Sequence, residues 1–326
     1  MLERIKSLLG KDWTDVSDLI RSSLRSDIDL LDSTNAAILS HGGKQLRPLM
    51  SLLVARSCSG GVVNADSVRF AVASELLHNA TLLHDDVADN SSERRGVPTV
   101  MSLLGGPASV LIGDYWLVKA VENILSSRDL GQVVIRIFAK TLSDLAEGEL
   151  LQLQKAACGD TVEEDYYRII YSKTASLFEA SGLAAAISVG APEQVREAVR
   201  EYCVDLGIAF QIKDDMLDYS GGAGLGKPVG ADLDEQKITL PLLGALKNAG
   251  KEEEARIRGL VMDIGVHPEN KLTVRDFVFG NGGMEYAAER LEGYTSKAVK
   301  ALERLPDSME RACLAEIACQ MAGRSK

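Results

Sequence analysis

Apolar residues recur every three or four positions along almost the whole chain. The period is clear in SVRFAVASELLHNATLLHDD (residues 67–86) and in VVIRIFAKTLSDLAEGELLQLQ (133–154). It continues in DYYRIIYSKTASLFEASGLAAAIS (165–188) and VREAVREYCVDLGIAFQIKDD (195–215). Each stretch predicts a helix. The period-two alternation of β-branched residues that marks strands is nearly absent. Breaks fall where Gly and Pro gather, at SCSGGVVNAD, LLGGPAS, VGAPEQ and YSGGAGLGKPVGADLDEQK. Two segments, SGLAAAISVG and GPASVLIGDYWLVKAV, are apolar nearly all round, which predicts helices in the middle of a bundle rather than on its skin. The expectation is an all-α chain of about ten or more helices. No internal period suggests a solenoid.

The chain has 326 residues, of which 46% are hydrophobic. Length alone argues weakly for two domains of about 150 residues each. The composition does not shift and no low-complexity linker appears, so the reading is one domain spanning 1–326. With 47 acidic against 36 basic residues the net charge is −11, and a general nucleic-acid surface is excluded, because it needs a basic face. Five cysteines without a CxxC pair read as reduced thiols of a cytoplasmic protein. The N-terminus shows no apolar signal region. No run approaches the roughly 18 apolar residues of a membrane span.

Against that background three aspartates, Asp85, Asp86 and Asp89, close an apolar helix in LLHDDVADNSSERRG. Asp85 and Asp89 share one helix face, where like charges repel, and the helix C-terminus also disfavours anions. One such set is ordinarily a solvated helix end. A second follows 129 residues later (214 − 85): QIKDDMLDYS places Asp214, Asp215 and Asp218 at the end of another apolar helix. Arg94 and Arg95 follow the first set, Lys227 and Lys237 the second. Carboxylate clusters facing each other suit a hard divalent cation, and Mg²⁺ is usually held by one or two carboxylates plus substrate phosphate. Cations nearby neutralise the remaining phosphate charge. Further candidates are Lys44 and Arg47 in HGGKQLRP, and His78, two turns before Asp85. Lys173 and Thr174 stand inside an apolar helix, and Gln211 shares a face with Asp214. Taken alone, Lys44 and Arg47 read as solvated bases at a helix start, and His78 and His84 as core histidines.

In order along the chain, GGKQLRP, LLHDDVAD, RRG, YSKTA, QIKDDMLD, GKPVGADLDEQKITLPLL and NGGMEYAAERL resemble the trans-isoprenyl diphosphate synthases, the polyprenyl synthetase family. The resemblance implies helices around a deep central cavity, the isoprenoid synthase type, in a homodimer. It implies condensation of isopentenyl diphosphate with an allylic diphosphate, using about three Mg²⁺ ions. By that similarity Asp85, Asp89 and Asp214 are metal ligands, with Asp86, Asp215 and Asp218 close behind. Arg94, Lys173, Thr174, Gln211, Lys227 and Lys237 hold the allylic diphosphate. Lys44, Arg47, His78 and Arg95 hold isopentenyl diphosphate. The proton acceptor is the released diphosphate or, as the weaker option, His78.

Counting back from Asp85, the positions expected to face the cavity are Thr81, Ala80, Leu77, Ser74 and Ala73. The first two are small, so a growing chain passes them. Ser74 lies roughly 16 Å deeper at 1.5 Å per residue. The expected product is long, six or more isoprene units, such as a quinone side-chain precursor, with Leu77 or Leu111 as alternative floors. Rival readings are a short-chain synthase, a class I terpene cyclase and a non-catalytic subunit of a heteromeric synthase. Intact aspartates at all six positions and the GGKQLRP segment argue against the last two. A peripheral membrane contact for product release stays open.

Overall fold

Asn64 ends a glycine-containing loop and accepts the Ser67 amide at 2.8 Å, which caps the helix Ala65–Ala88. From Phe70 to Leu77 every residue of that helix is buried, so it has no solvent face over two turns. The helix Leu46–Ser59 is buried in the same way from Arg47 to Ala55. This is the pattern of helices in the interior of a bundle.

The structure is a computed structural model, and it describes residues 1–94, 96–221 and 230–323. Helices dominate. The described strands are the two-residue pair Glu93–Arg94 and Val97–Pro98, an antiparallel turn just after the first aspartates. The all-α expectation holds. The chain divides into two compact units.

The first unit comprises 1–140, 179–200 and 301–315. Its central helix Ala65–Ala88 packs against Leu46–Ser59, Lys11–Ser23 and Gly106–Leu125. The small-residue segment 181–188 is buried except at Ile187, as its composition predicts. The helix Gly106–Leu125 departs from expectation. Ile112, Trp116, Ala120 and Ile124 face inward, but Leu111, Val118 and Leu125 are each more than half exposed. These three recur every seven residues along one face of the helix. Leu111, 68% exposed, does not close a floor within its own unit.

The second unit comprises 141–178, 201–300 and 316–326. Its core gathers Tyr166, Ile170, Ile208, Ile212, Tyr219 and Leu240. Helix Glu163–Ile170 runs into a π-helical turn, Tyr171–Ala175, and continues as Ser176–Ser188. Two glycines let neighbours approach that turn. A β-carbon at Gly207 would stand 2.5 Å from the Ala175 α-carbon, and one at Gly148 would stand 2.5 Å from the Ser172 β-carbon.

Candidate active site

In the first unit the three aspartates end the central helix, and they are not equivalent. Asp85 is half-buried, Asp86 is 4% exposed and Asp89 is open to solvent as the helix C-cap. Arg94 places Nε and Nη2 each 2.9 Å from one Asp86 oxygen. Burial pushes Asp86 above the usual carboxylate range, and the Arg94 guanidinium opposes that shift. The two-residue strand pair therefore has a reason: it carries Arg94 back over the end of its own helix. Arg94 was expected to meet a diphosphate; here its guanidinium meets Asp86. Arg95 lies outside the described residues.

Arg47 is buried, not a solvated base at a helix start, whereas Lys44 is exposed. Gln45 before it takes a left-handed φ of 49°, so the chain turns sharply into the helix. Burial lowers Arg47 to about 10, and the charge of Glu75 works against this. Glu75 was not identified from sequence; its Oε1 also accepts from Asn79 at 3.2 Å. His78 is partly buried. Ala73, Ser74, Leu77 and Ala80 are all buried, and Thr81 is partly so. Ser74 and Thr81 donate their hydroxyl protons to Ala71 and His78 carbonyls at 2.8 Å, which turns their polarity back into the helix. His84 is partly exposed and reaches the Val110 carbonyl and Asp114, each at 3.3 Å, so it pairs at the surface and is not the core histidine expected.

In the second unit the same grading recurs. Asp214 is exposed, Asp215 is 3% exposed and Asp218 is partly buried. Tyr166 donates its hydroxyl to Asp215 Oδ2 at 2.6 Å, and Gln211 Nε2 donates to Oδ1 at 2.8 Å. Thr174 Oγ1 donates to Gln211 Oε1 at 2.8 Å, so the π-helical turn is tied to the aspartates through one amide. Burial raises Asp215 well above the ordinary range and the charge of Asp232 adds to it; the two hydrogen bonds oppose. Asp218 accepts the amides of Ala231 and Asp232 at 3.0 and 3.2 Å. It thereby anchors the chain after 222–229, a segment outside the described residues that includes Lys227. Lys237 is partly buried and pairs with Glu235. Lys173 leaves the π-helical turn with its ammonium 2.5 Å from Glu149 Oε2 and donates to Gln152 Oε1 at 3.1 Å. Tyr166, Glu149 and Gln152 were missed. The signal available was EGELLQLQ, two polar residues three apart on an otherwise apolar helix face.

A divalent cation fits this chemistry. The outer acids of both sets, Asp89 and Asp214, present hard carboxylate oxygens to solvent, while the inner acids are spent on protein donors. Among the described residues no group of three or more His, Cys, Asp or Glu is placed to hold a metal on protein ligands alone. A Mg²⁺ ion here would need water and substrate oxygens to complete its shell.

The chain matches the Polyprenyl synthetase family model over residues 28–274. It is 38% identical to the octaprenyl diphosphate synthase of Escherichia coli over 318 residues, covering 97% of each chain. Among solved structures it resembles a decaprenyl diphosphate synthase from Rhodobacter capsulatus, with a TM-score of 0.90, 34% identity and full coverage of both chains. A polyprenyl synthase from Caulobacter crescentus, complexed with calcium and isoprenyl diphosphate, gives a TM-score of 0.89 at 35% identity, covering 99% of this chain and 98% of that one.

Proposed function

The chain belongs to the polyprenyl synthetase family, and we propose that it condenses isopentenyl diphosphate head-to-tail with an allylic diphosphate to make a long all-trans polyprenyl diphosphate. The observation that carries this is the grading within both aspartate sets. In each, one acid is buried and anchored, and another stands open to take a cation. The relatives that make octaprenyl and decaprenyl chains support a product of six or more isoprene units, of the kind quinone side chains need. The calcium and isoprenyl diphosphate bound by the Caulobacter relative support the pairing of a divalent cation with a diphosphate.

Residues 1–326 act as one catalytic domain in this reading. Asp85, Asp89 and Asp214 hold Mg²⁺, about three ions per site. Mg²⁺ supplies charge neutralisation where the leaving diphosphate becomes more anionic, which lowers the ionisation barrier. Arg94, Lys173, Thr174, Gln211, Lys227 and Lys237 bind that diphosphate. Lys44, Arg47, His78 and Arg95 hold isopentenyl diphosphate. Burial of Arg47 against Glu75 keeps one cation fixed and dry there. Ser74, Leu77, Ala80 and Thr81 line the path of the growing chain, and apolar walls exclude water from the carbocation. No helix among the described residues is long and apolar enough to cross a membrane. The exposed Leu111, Val118 and Leu125 on one helix face support a homodimer, whose mass in solution would be twice 35.1 kDa.

The test is incubation with isopentenyl diphosphate, each allylic starter and Mg²⁺, the products being sized by chromatography. Long prenyl chains are expected, and Ala80→Phe is expected to shorten them. Turnover of the allylic diphosphate without isopentenyl diphosphate would point to a cyclase instead.

A further inference from the structure

The rod from Glu163 to Ser188 is α-helical except at Tyr171–Ala175, where it widens into a π-helical turn. Such turns are poorer helices and recur where a side chain must be re-aimed. This one is pinned from two sides, by Gly148 against Ser172 and by Gly207 against Ala175. Lys173 projects from it toward the helix Gly131–Cys158. There Glu149 and Gln152, three residues apart on one face, meet it. Gln152 Nε2 also donates to Glu149 Oε1 at 3.4 Å, so ammonium, carboxylate and amide close a triangle. The Lys173 and Glu149 side chains are 26% and 23% exposed, too sheltered for a simple solvated pair.

We propose that Glu149 is a positioning residue for Lys173. With Gln152 it holds the ammonium in place over the π-helical turn. An ammonium has three N–H donors. Two are directed at Glu149 and Gln152, and the third is left for a diphosphate oxygen. A lysine otherwise loses its rotamer freedom on meeting an anion; here much of that ordering is already done in the folded chain. Glu149 touches no substrate in this scheme and acts through Lys173 alone. The proposal rests on the assignment of Lys173 to the allylic diphosphate.

The experiment is steady-state kinetics of the full chain with farnesyl diphosphate, isopentenyl diphosphate and Mg²⁺. The variants are Lys173→Ala, Glu149→Ala, Glu149→Gln, Gln152→Ala and the doubles that join each Ala change to Lys173→Ala. Glu149→Ala is expected to lower kcat/KM for farnesyl diphosphate roughly tenfold while KM for isopentenyl diphosphate stays within about twofold. Glu149→Gln, which keeps the shape and an acceptor, is expected to recover to within about threefold of the parent. In the Lys173→Ala background neither Glu149→Ala nor Gln152→Ala should cost anything more, because the group they position is gone. Equal losses with and without Lys173, or parallel changes in both KM values, would overturn the proposal, since a structural role predicts them. If Glu149→Ala does not fold, Gln152→Ala carries the same cycle with a smaller loss, about threefold. No effect of Lys173→Ala on farnesyl diphosphate would instead remove the assignment beneath the proposal, and the proposal with it.

Discussion

Asp86 and Asp215 hold the same place in their sets, one residue after the first acid, and both are buried, 4% and 3% exposed. What meets them differs. Asp86 faces a guanidinium that arrives on a short strand pair eight residues later in the chain. Asp215 faces a tyrosine hydroxyl and a carboxamide, both carried on helices. One unit fixes its buried acid with charge on a loop, the other with neutral donors on rigid elements. Both leave an outer aspartate open to solvent. In both sets the inner acid is immobilised by protein donors, and the kind of donor sets how that anchor responds to salt and substitution.

Removing the charged partner should have the largest effect. Arg94→Ala leaves Asp86 buried without its cation. Breaking a buried pair typically costs 3–5 kcal/mol; with Arg94 30% exposed, about 3 kcal/mol is expected. Arg94→Lys recovers part of it, since one ammonium cannot repeat the two nitrogens on one oxygen. Thermal unfolding at low and high salt reads this, with the parent losing more of its margin in salt than the variant. A loss no greater than that of the neutral anchor would break the comparison.

The neutral anchor should fail more gently. Tyr166→Phe deletes one donor to Asp215 and keeps the ring in the core, so about 1–3 kcal/mol is expected. The loss should be the same at low and high salt. A strong salt dependence would mean that Asp215 is held by charge after all.

The sequence carried the sets themselves, because six aspartates in two repeats at helix ends are a local pattern. It did not carry the grading within them. Which acid is buried depends on partners 8 and 49 residues away, Arg94 for Asp86 and Tyr166 for Asp215, and helical period says nothing about such pairs. Tyr166 looked like one more apolar position of its helix. Arg94 was read for its charge alone, and the strand pair that aims it at Asp86 leaves no alternation of its own in two-residue strands. The helix Gly106–Leu125 was read as interior because composition counts apolar faces without saying how many of them one chain covers.

Asp205 shows what burial does without a dedicated anchor, and its removal should give the smallest effect. It lies ten residues before Asp215 on the same helix, half-buried. Burial raises it to about 6; Lys297 opposes the shift and Glu201 adds to it, and Tyr294 also lies in its field. A carboxyl raised in the folded state keeps its proton where the unfolded chain has already released it. Stability therefore falls as pH rises from about 4 to about 6 and levels off above. The two-unit shift would be worth about 3 kcal/mol at full burial, and about 1–2 kcal/mol after solvent screening. Asp205→Asn should thus stabilise the protein by that amount at neutral pH and scarcely at all near pH 4. Unfolding midpoints at the two pH values measure the difference. Equal shifts at both would mean that packing, not titration, distinguishes the two side chains, and Asp205 would then no longer serve as the unanchored reference against which Asp86 and Asp215 are judged.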